Sequence, residues 1–407
     1  MIDINKYSSF KYILFGSLYF LEGLQLAIAT VIIPIYLLEK NFPPKLATFV
    51  IGMILIPWAI KFVFGWIVDY SIQLSRKQFI LSGGIISSVS LIVIAFVDPS
   101  VSLISFLLLL FIGHCGIGFL DVSADAWAIE SSHEKERGKL NGVMTAGLFT
   151  GMTIGTTIIA LTAQSLGYNI AFLVAGLLSL PIILFPLFIK EIKKVKKHQK
   201  IALLIISEFR KKTTQSIAVF LPIVLISSGI IQFAVPIYMK INLQFDIGQI
   251  GLIATIFVLA KVFGSLVCGT ISDKWGRKTA IYIILGLSIF FSASLISANN
   301  WQLLSVLYGI IGFLSGGLLS VLMATCMDIT NPKIGATQFS ILMSLANAGE
   351  LGGGATSGTL ISLLGFSRVF LYSAWIFGPA LIILYFIKFK KQTRRISHIA
   401  HEKKIRK

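Results

Sequence analysis

The chain of 407 residues is 56% hydrophobic and 13% charged, with mean hydropathy +0.88 and a formal net charge of +18. Soluble globular chains carry roughly 25% charged residues, so this composition excludes a soluble enzyme and places most of the chain in lipid. The positive excess would suggest nucleic acid in a soluble protein, but in a membrane chain it orients the spans instead, and no nucleic-acid partner is expected.

Runs of about 20 apolar residues can cross a bilayer as helix, and twelve are predicted, near 11–38, 46–68, 79–97, 101–128, 139–164, 168–189, 216–239, 248–272, 279–298, 301–328, 335–362 and 367–388. They are continuous and too long for tilted strands, which excludes a β-barrel. The first carries Glu22 and Gln25 and leads into Pro34-Ile35-Tyr36. The second carries Lys61 and closes on Gly65-Trp66-Ile67-Val68-Asp69, with Arg76-Lys77 following. In the fourth, His114, Gly118, Asp121 and Asp125 fall on one helical face, which must turn away from lipid. The fifth carries a stripe of Gly142, Gly147, Gly151 and Gly155, which favours close helix packing.

Residues 191–215 read as a basic linker containing the short apolar patch 201–206, which could lie in the membrane interface. The eighth span carries Lys261 and closes on Gly269-Thr-Ile-Ser-Asp273-Lys-Trp-Gly276-Arg277-Lys278. In the eleventh, Glu350 sits among Gly349, Gly352, Gly353 and Gly354. Residues 391–407 form a basic tail.

The second half repeats the first. Pro34-Ile35-Tyr36 recurs as Pro236-Ile237-Tyr238, Leu166-Gly167-Tyr168 as Leu364-Gly365-Phe366, and Asp69 as Asp273. Matches in the same order at nearly one spacing indicate an internal duplication, which in membrane chains accompanies transporters whose substrate site lies between the halves. Lys and Arg concentrate in the N-terminus, the even-numbered connections and the C-terminus, so both termini are expected in the cytoplasm. Cys115, Cys268 and Cys326 all lie in predicted spans, and no zinc spacing or disulfide framework is available.

Ionisable side chains cost about 2.5–3.5 kcal/mol each at a membrane helix centre on insertion scales, and are therefore functional candidates. At 1.5 Å per residue, Lys61 lies about 12 Å from its cytoplasmic end, level with Asp121 at about 15 Å and Asp125 at about 9 Å. Lys61 is expected to pair with Asp121 or Asp125 in one transport state. Glu22 and Glu350 are candidate proton carriers, because a carboxyl removed from water favours its neutral form and can load and release a proton. Lys261 either faces an anionic substrate or snorkels toward water. No Gly-x-x-x-x-Gly-Lys-Ser/Thr loop for ATP hydrolysis is present.

Twelve spans, a basic central loop and the Gly-x-x-x-Asp-x-x-Gly-Arg-Lys string after the eighth span resemble the major facilitator superfamily. The first copy departs from that string: its loop is longer and lacks the second glycine. The segments Pro57–Asp69 and Gly118–Glu130 are similar to the folate-biopterin transporter, muropeptide permease and acetyl-CoA transporter branch.

The resemblance implies an all-α polytopic membrane protein with twelve transmembrane helices in two pseudo-symmetric six-helix bundles. These would be residues 1–190 and 216–390, enclosing a central cavity. It also implies a conformational latch made by Gly65, Asp69 and Arg76 in the first half and by Gly269, Asp273, Gly276, Arg277 and Lys278 in the second. The two glycines would let helix backbones approach, while the aspartate accepts hydrogen bonds from a partner helix and from the loop's own cation.

The expectation is a monomeric, proton-coupled secondary transporter of a small polar or anionic organic solute in the cell membrane, without catalytic residues, cofactor or metal. An uncoupled facilitator is the alternative, with a polytopic membrane enzyme behind it.

Overall fold

The computed structural model describes residues 2–4, 8–42, 50, 53–54, 56–71, 74–191, 201–245 and 247–387. The first part of the expected linker, the basic tail and much of the second expected span before Lys61 lie outside them. The described residues are helical almost throughout. In chain order the principal helices are α1 (Ser8–Ala27), α2 (Lys61–Tyr70), α3 (Arg76–Ile94), α4 (Leu103–Ser131), α5 (Arg137–Ile154) and α6 (Tyr168–Leu184). In the second half they are α7 (Lys212–Ile241), α8 (Ile247–Trp275), α9 (Arg277–Ser294), α10 (Trp301–Ile329), α11 (Gly335–Leu364) and α12 (Phe366–Phe386).

Among the described residues, ten helices are long and apolar enough to cross a membrane. The 30-residue α11 is not among them, because its Gly, Ser, Thr and Asn content dilutes its hydropathy. Helix α7 starts at Lys212, inside the expected linker, and a separate helix, Ile201–Phe209, precedes it.

The starts and stops follow local chemistry. Ser75 and Gln78 form a capping box at α3, and the Asn300 side chain accepts from Leu303 N–H at α10. Gly167 ends the fifth expected span and opens α6, and Gly365 does the same between α11 and α12. Both have positive φ, 91° and 75°, where a side chain would be strained.

The duplicated Leu-Gly-aromatic string is thus a turn, and it explains the other echo. Tyr36, of the first Pro-Ile-Tyr, stacks on Tyr168 at 4.4 Å and meets Phe172. In the second half Tyr238 meets Phe366 at 5.3 Å and Phe370 at 5.4 Å. The two sequence repeats are the two sides of one aromatic contact, made once in each half.

Packing follows the same plan. Helix α1 packs on α5 as α7 packs on α11, and α3 on α6 as α9 on α12. Backbones touch where glycines remove the side chain: a Cβ on Gly23, Gly147 or Gly151 would collide with carbonyl oxygens across the α1–α5 contact, as would one on Gly229 or Gly353 across α7–α11. Helices α1 and α5 each continue past a wider, i→i+5 hydrogen-bonded turn, Ile28–Ile32 and Gly155–Ile159, and these turns lie against each other. Between the halves, α2 crosses α11 and α5 crosses α8.

Candidate functional site

In the first half, α1, α2 and α4 bring one cation and three carboxyls together. Glu22, Lys61, Asp121 and Asp125 are all buried, with exposures between 0% and 5%. Lys61 Nζ lies 3.2 Å from Asp121 Oδ2. Asp125, one turn along α4, instead accepts a short hydrogen bond from the Tyr19 hydroxyl. Glu22, one turn from Tyr19 on α1, faces Asp121 and is within electrostatic reach of Lys61 and Asp125. Glu22 Oε2, Asp121 Oδ1 and Asp125 Oδ2 are each buried and find no donor among the described residues, while Glu22 and Asp121 lie close enough to share a proton.

Fully ionised, this cluster would hold a net charge of about −2 in a low-dielectric interior, which one ammonium cannot neutralise. Its spare oxygens are places where protons can reside. Gln25 is buried on the next turn of α1. His114, on the same face of α4, places its Nδ1 2.9 Å from Leu110 O within its own helix.

The second half is built differently. Lys261, on α8, has 6% exposure and donates to Gln232 Oε1 of α7 at 2.7 Å. Its ammonium also lies 4.8 Å from the ring centre of Phe257 and 4.9 Å from that of Phe149, a residue of α5 in the other half. Glu350, on α11, is half-buried, acts on Lys261 through space, and makes no ion pair among the described residues.

The Gly-Asp motifs lie where the halves cross. A Cβ on Gly65 would fall 2.7 Å from Ala336 O at the start of α11, and one on Gly269 would fall 2.4 Å from Gly138 O at the start of α5. Asp69 Oδ2 accepts from the N–H of Thr337 at 2.8 Å and from its hydroxyl at 2.9 Å, while Asp69 Oδ1 holds Arg76 Nη2 at 2.8 Å. Asp273 accepts from Gly138 N–H at 2.8 Å and Lys139 N–H at 2.6 Å, and holds Arg277 at 2.6 Å. Each aspartate therefore caps the first turn of a helix in the opposite half, where free N–H groups and the helix dipole favour an anion.

The arginines tie in further acids: Arg76 reaches Glu130 at the end of α4, and Arg277 reaches Asp328 at the end of α10. Among the described residues an extra ion pair crosses between the halves on the α5–α8 side, Arg137 to Asp328 at 3.2 Å. Ser265 of α8 adds another crossing bond, its Oγ donating to Gly142 O at 3.2 Å.

Two expected members lie elsewhere. Gly276 is not a point of close approach, since nothing lies within 4 Å of its Cβ position; its φ of +89° makes it the turn that starts α9. Lys278 donates to Tyr385 O and Ile387 O at the end of α12, in its own half, because a cation satisfies the free carbonyls of a helix C-terminus. In the first half Lys77 does the same for Leu187 O and Ile189 O. The altered first loop does not prevent the Asp69 contacts, since Arg76 reaches back to Asp69 across it.

The residues the motifs did not reveal are Tyr19, Thr337 and the backbone donors of Gly138 and Lys139. Only the duplication points to the last three, because Thr337 stands at the position of Lys139 at the offset separating Leu166 from Leu364.

Comparison with known proteins fits this geometry. The family model described as the Major Facilitator Superfamily matches residues 15–225 and 217–406. The chain belongs to that superfamily. It is 25% identical over 388 residues to the anhydromuropeptide permease of Escherichia coli K12, covering 90% of this chain and 77% of that protein. It is 23% identical over 338 residues to the putative transporter AmpG 4 of Rickettsia conorii, covering 77% and 80%.

Among solved structures, the E. coli fucose:proton symporter FucP aligns with a TM-score of 0.73 at 13% identity, covering 93% of this chain and 98% of that one. A bacterial homologue of the iron transporter ferroportin, in its outward-facing state, aligns with a TM-score of 0.72 at 14% identity, covering 92% and 98%. The protein is a multi-pass membrane transporter of solutes that resembles the muropeptide permease branch.

Proposed function

We propose that this transporter is a proton-coupled symporter of a small polar or anionic organic solute, working by alternating access between residues 1–190 and 216–390 as two six-helix bundles in the cell membrane. The observation that carries proton coupling is the cluster of Glu22, Asp121 and Asp125 around Lys61, three buried carboxyls sharing one cation, each with an oxygen left unbonded. A proton arriving at Glu22 or Asp125 relieves repulsion in the cluster, and its departure restores it.

Access to the solute is controlled where Asp69 and Asp273 cap α11 and α5. With the basic connections in the cytoplasm, that is the cytoplasmic side, and the described conformation is closed there. The bonds that close it are individually replaceable by water, which suits a contact made in one state and broken in the other. A muropeptide-like solute is the first to test, on the strength of the relative's name.

Accumulation of an anhydromuropeptide, or of a solute found by thermal-shift screening, is measured in proteoliposomes with a pH gradient imposed and then collapsed. Coupling requires accumulation to vanish with the gradient while exchange across the membrane continues. Accumulation unaffected by the collapse would establish the uncoupled facilitator instead.

A further inference from the structure

Lys61 and Lys261 are both buried in the membrane, yet among the described residues only the first of the two is ion-paired with a carboxylate. Among the described residues the groups in direct contact with the Lys261 ammonium are neutral, the Gln232 amide oxygen and two ring faces, Phe257 from its own half and Phe149 from the other, while Glu350 acts on it only through space. Phe257 is itself backed by Tyr308, stacked at 4.1 Å with rings 11° apart. A buried ammonium without a counter-ion is costly, and an amide oxygen and ring quadrupoles recover only part of that cost. The position is nevertheless tightly packed, because Gly316 lets α10 touch the backbone of Lys261 itself, and Gly312 and Gly264 let α8 and α10 touch backbone to backbone about one turn to either side of it. The side chain points to the seam between the halves, as its contact with Phe149 of α5 requires.

We infer that Lys261 is the specificity-determining residue for an anionic group on the transported solute, a carboxylate or a phosphate, which takes the place of the Phe149 ring as the ammonium's partner. This rests on the reading of the protein as an organic-solute transporter and narrows its substrate class. The aromatic pair Phe257–Tyr308 beside the ammonium suits a solute whose anion is joined to a flat or apolar portion. Exchanging ring for anion also removes one contact between the halves, so that binding at Lys261 favours their separation there. Charge-assisted bonding to the ammonium is stronger than the contacts it replaces, and this gives the exchange its direction.

The test is ligand-induced thermal stabilisation of the purified full-length protein, read against matched pairs of compounds: organic carboxylates and phosphates beside the corresponding amides and alcohols. N-acetylmuramic acid and its primary amide, which differ only at the lactyl carboxyl, are one such pair. Wild type is expected to be stabilised by anionic members and not by their neutral partners. Lys261→Gln should lose this preference, with about tenfold or greater weakening for the anion. Lys261→Arg should retain it, and Glu350→Gln should leave it intact or strengthened.

Equal stabilisation by neutral partners overturns the inference. So does anion preference that survives Lys261→Gln, or silence across every anionic member. Because binding is read without a proton gradient, anion preference can stand where proton coupling fails, and coupling can stand where anion preference fails.

Discussion

The two halves share a scaffold and differ in chemistry. At the offset that superimposes Leu166 on Leu364, the positions of Asp121 and Asp125 in α4 are occupied in α10 by Leu319 and Met323. Conversely, Lys261 in the second half has no ionisable counterpart, since the offset from Asp69 to Asp273 places Pro57 there. The aromatic contact, the glycine contacts and the aspartate caps are duplicated, because packing and helix-end hydrogen bonding are needed twice. The intramembrane charges are not, because each costs free energy and is retained only where it acts. The first half thus concentrates exchangeable carboxyls around one cation, and the second presents a cation with no ion-pair partner among the described residues.

That contrast can be broken from either side. The largest effect is expected from Asp121→Asn, which leaves Lys61 without its direct partner: breaking a buried pair costs about 3–5 kcal/mol, and expression or thermal stability should fall accordingly. The double variant Lys61→Met with Asp121→Asn should recover part of that loss, and a double-mutant cycle showing no coupling would dissolve the pair.

Next, Met323→Asp would place a carboxyl in the second half where the first has Asp125. With no Tyr19 or Lys61 equivalent to receive it, it should destabilise by about 2.5–3.5 kcal/mol in thermal denaturation. A neutral outcome would mean that the second half also tolerates charge at this level.

The aspartate caps come third. Asp273→Asn and Asp69→Asn each weaken charge-assisted bonds worth about 1.5–3 kcal/mol to the closed state. Labelling of a cysteine placed at Thr145, on α5 facing α10, should rise more in Asp273→Asn, because Asp273 caps α5 itself whereas Asp69 caps α11.

The smallest effect is expected at Lys40–Asp98, a 2.5 Å pair between connections. The hydrogen bond from Lys40 holds Asp98 below the ordinary carboxylate range and raises Lys40 in turn. Both groups are exposed to water, so Asp98→Asn should leave transport rates unchanged.

The fold was largely legible because long apolar runs and an in-order repeat leave few alternatives. The contact of Tyr36 with Tyr168 was half legible: both echoes stood in the sequence, but nothing there shows that they touch. Lys61, Asp121 and Asp125 could be placed level by counting residues along helices, whereas the choice of Asp121 over Asp125 depends on Tyr19 occupying Asp125, which spacing cannot reveal. The recipients of Asp69 and Asp273 were hidden for a different reason. Backbone N–H groups at a helix start carry no residue-type signature, so Thr337, Gly138 and Lys139 appear only once the halves are seen to cross. The string ending in Gly276, Arg277 and Lys278 was continuous in sequence but faces three ways in space: a turn, the opposite half and the end of α12.

The assignment of the coupling proton to the first half is tested most directly by comparing counterflow with pH-gradient-driven accumulation in proteoliposomes of wild type, Glu22→Gln, Asp125→Asn and Glu350→Gln, using a solute identified by thermal shift. Glu22→Gln and Asp125→Asn should keep counterflow and lose gradient-driven accumulation, while Glu350→Gln keeps both. Accumulation that persists in both first-half variants, or that is lost only in Glu350→Gln, would contradict it.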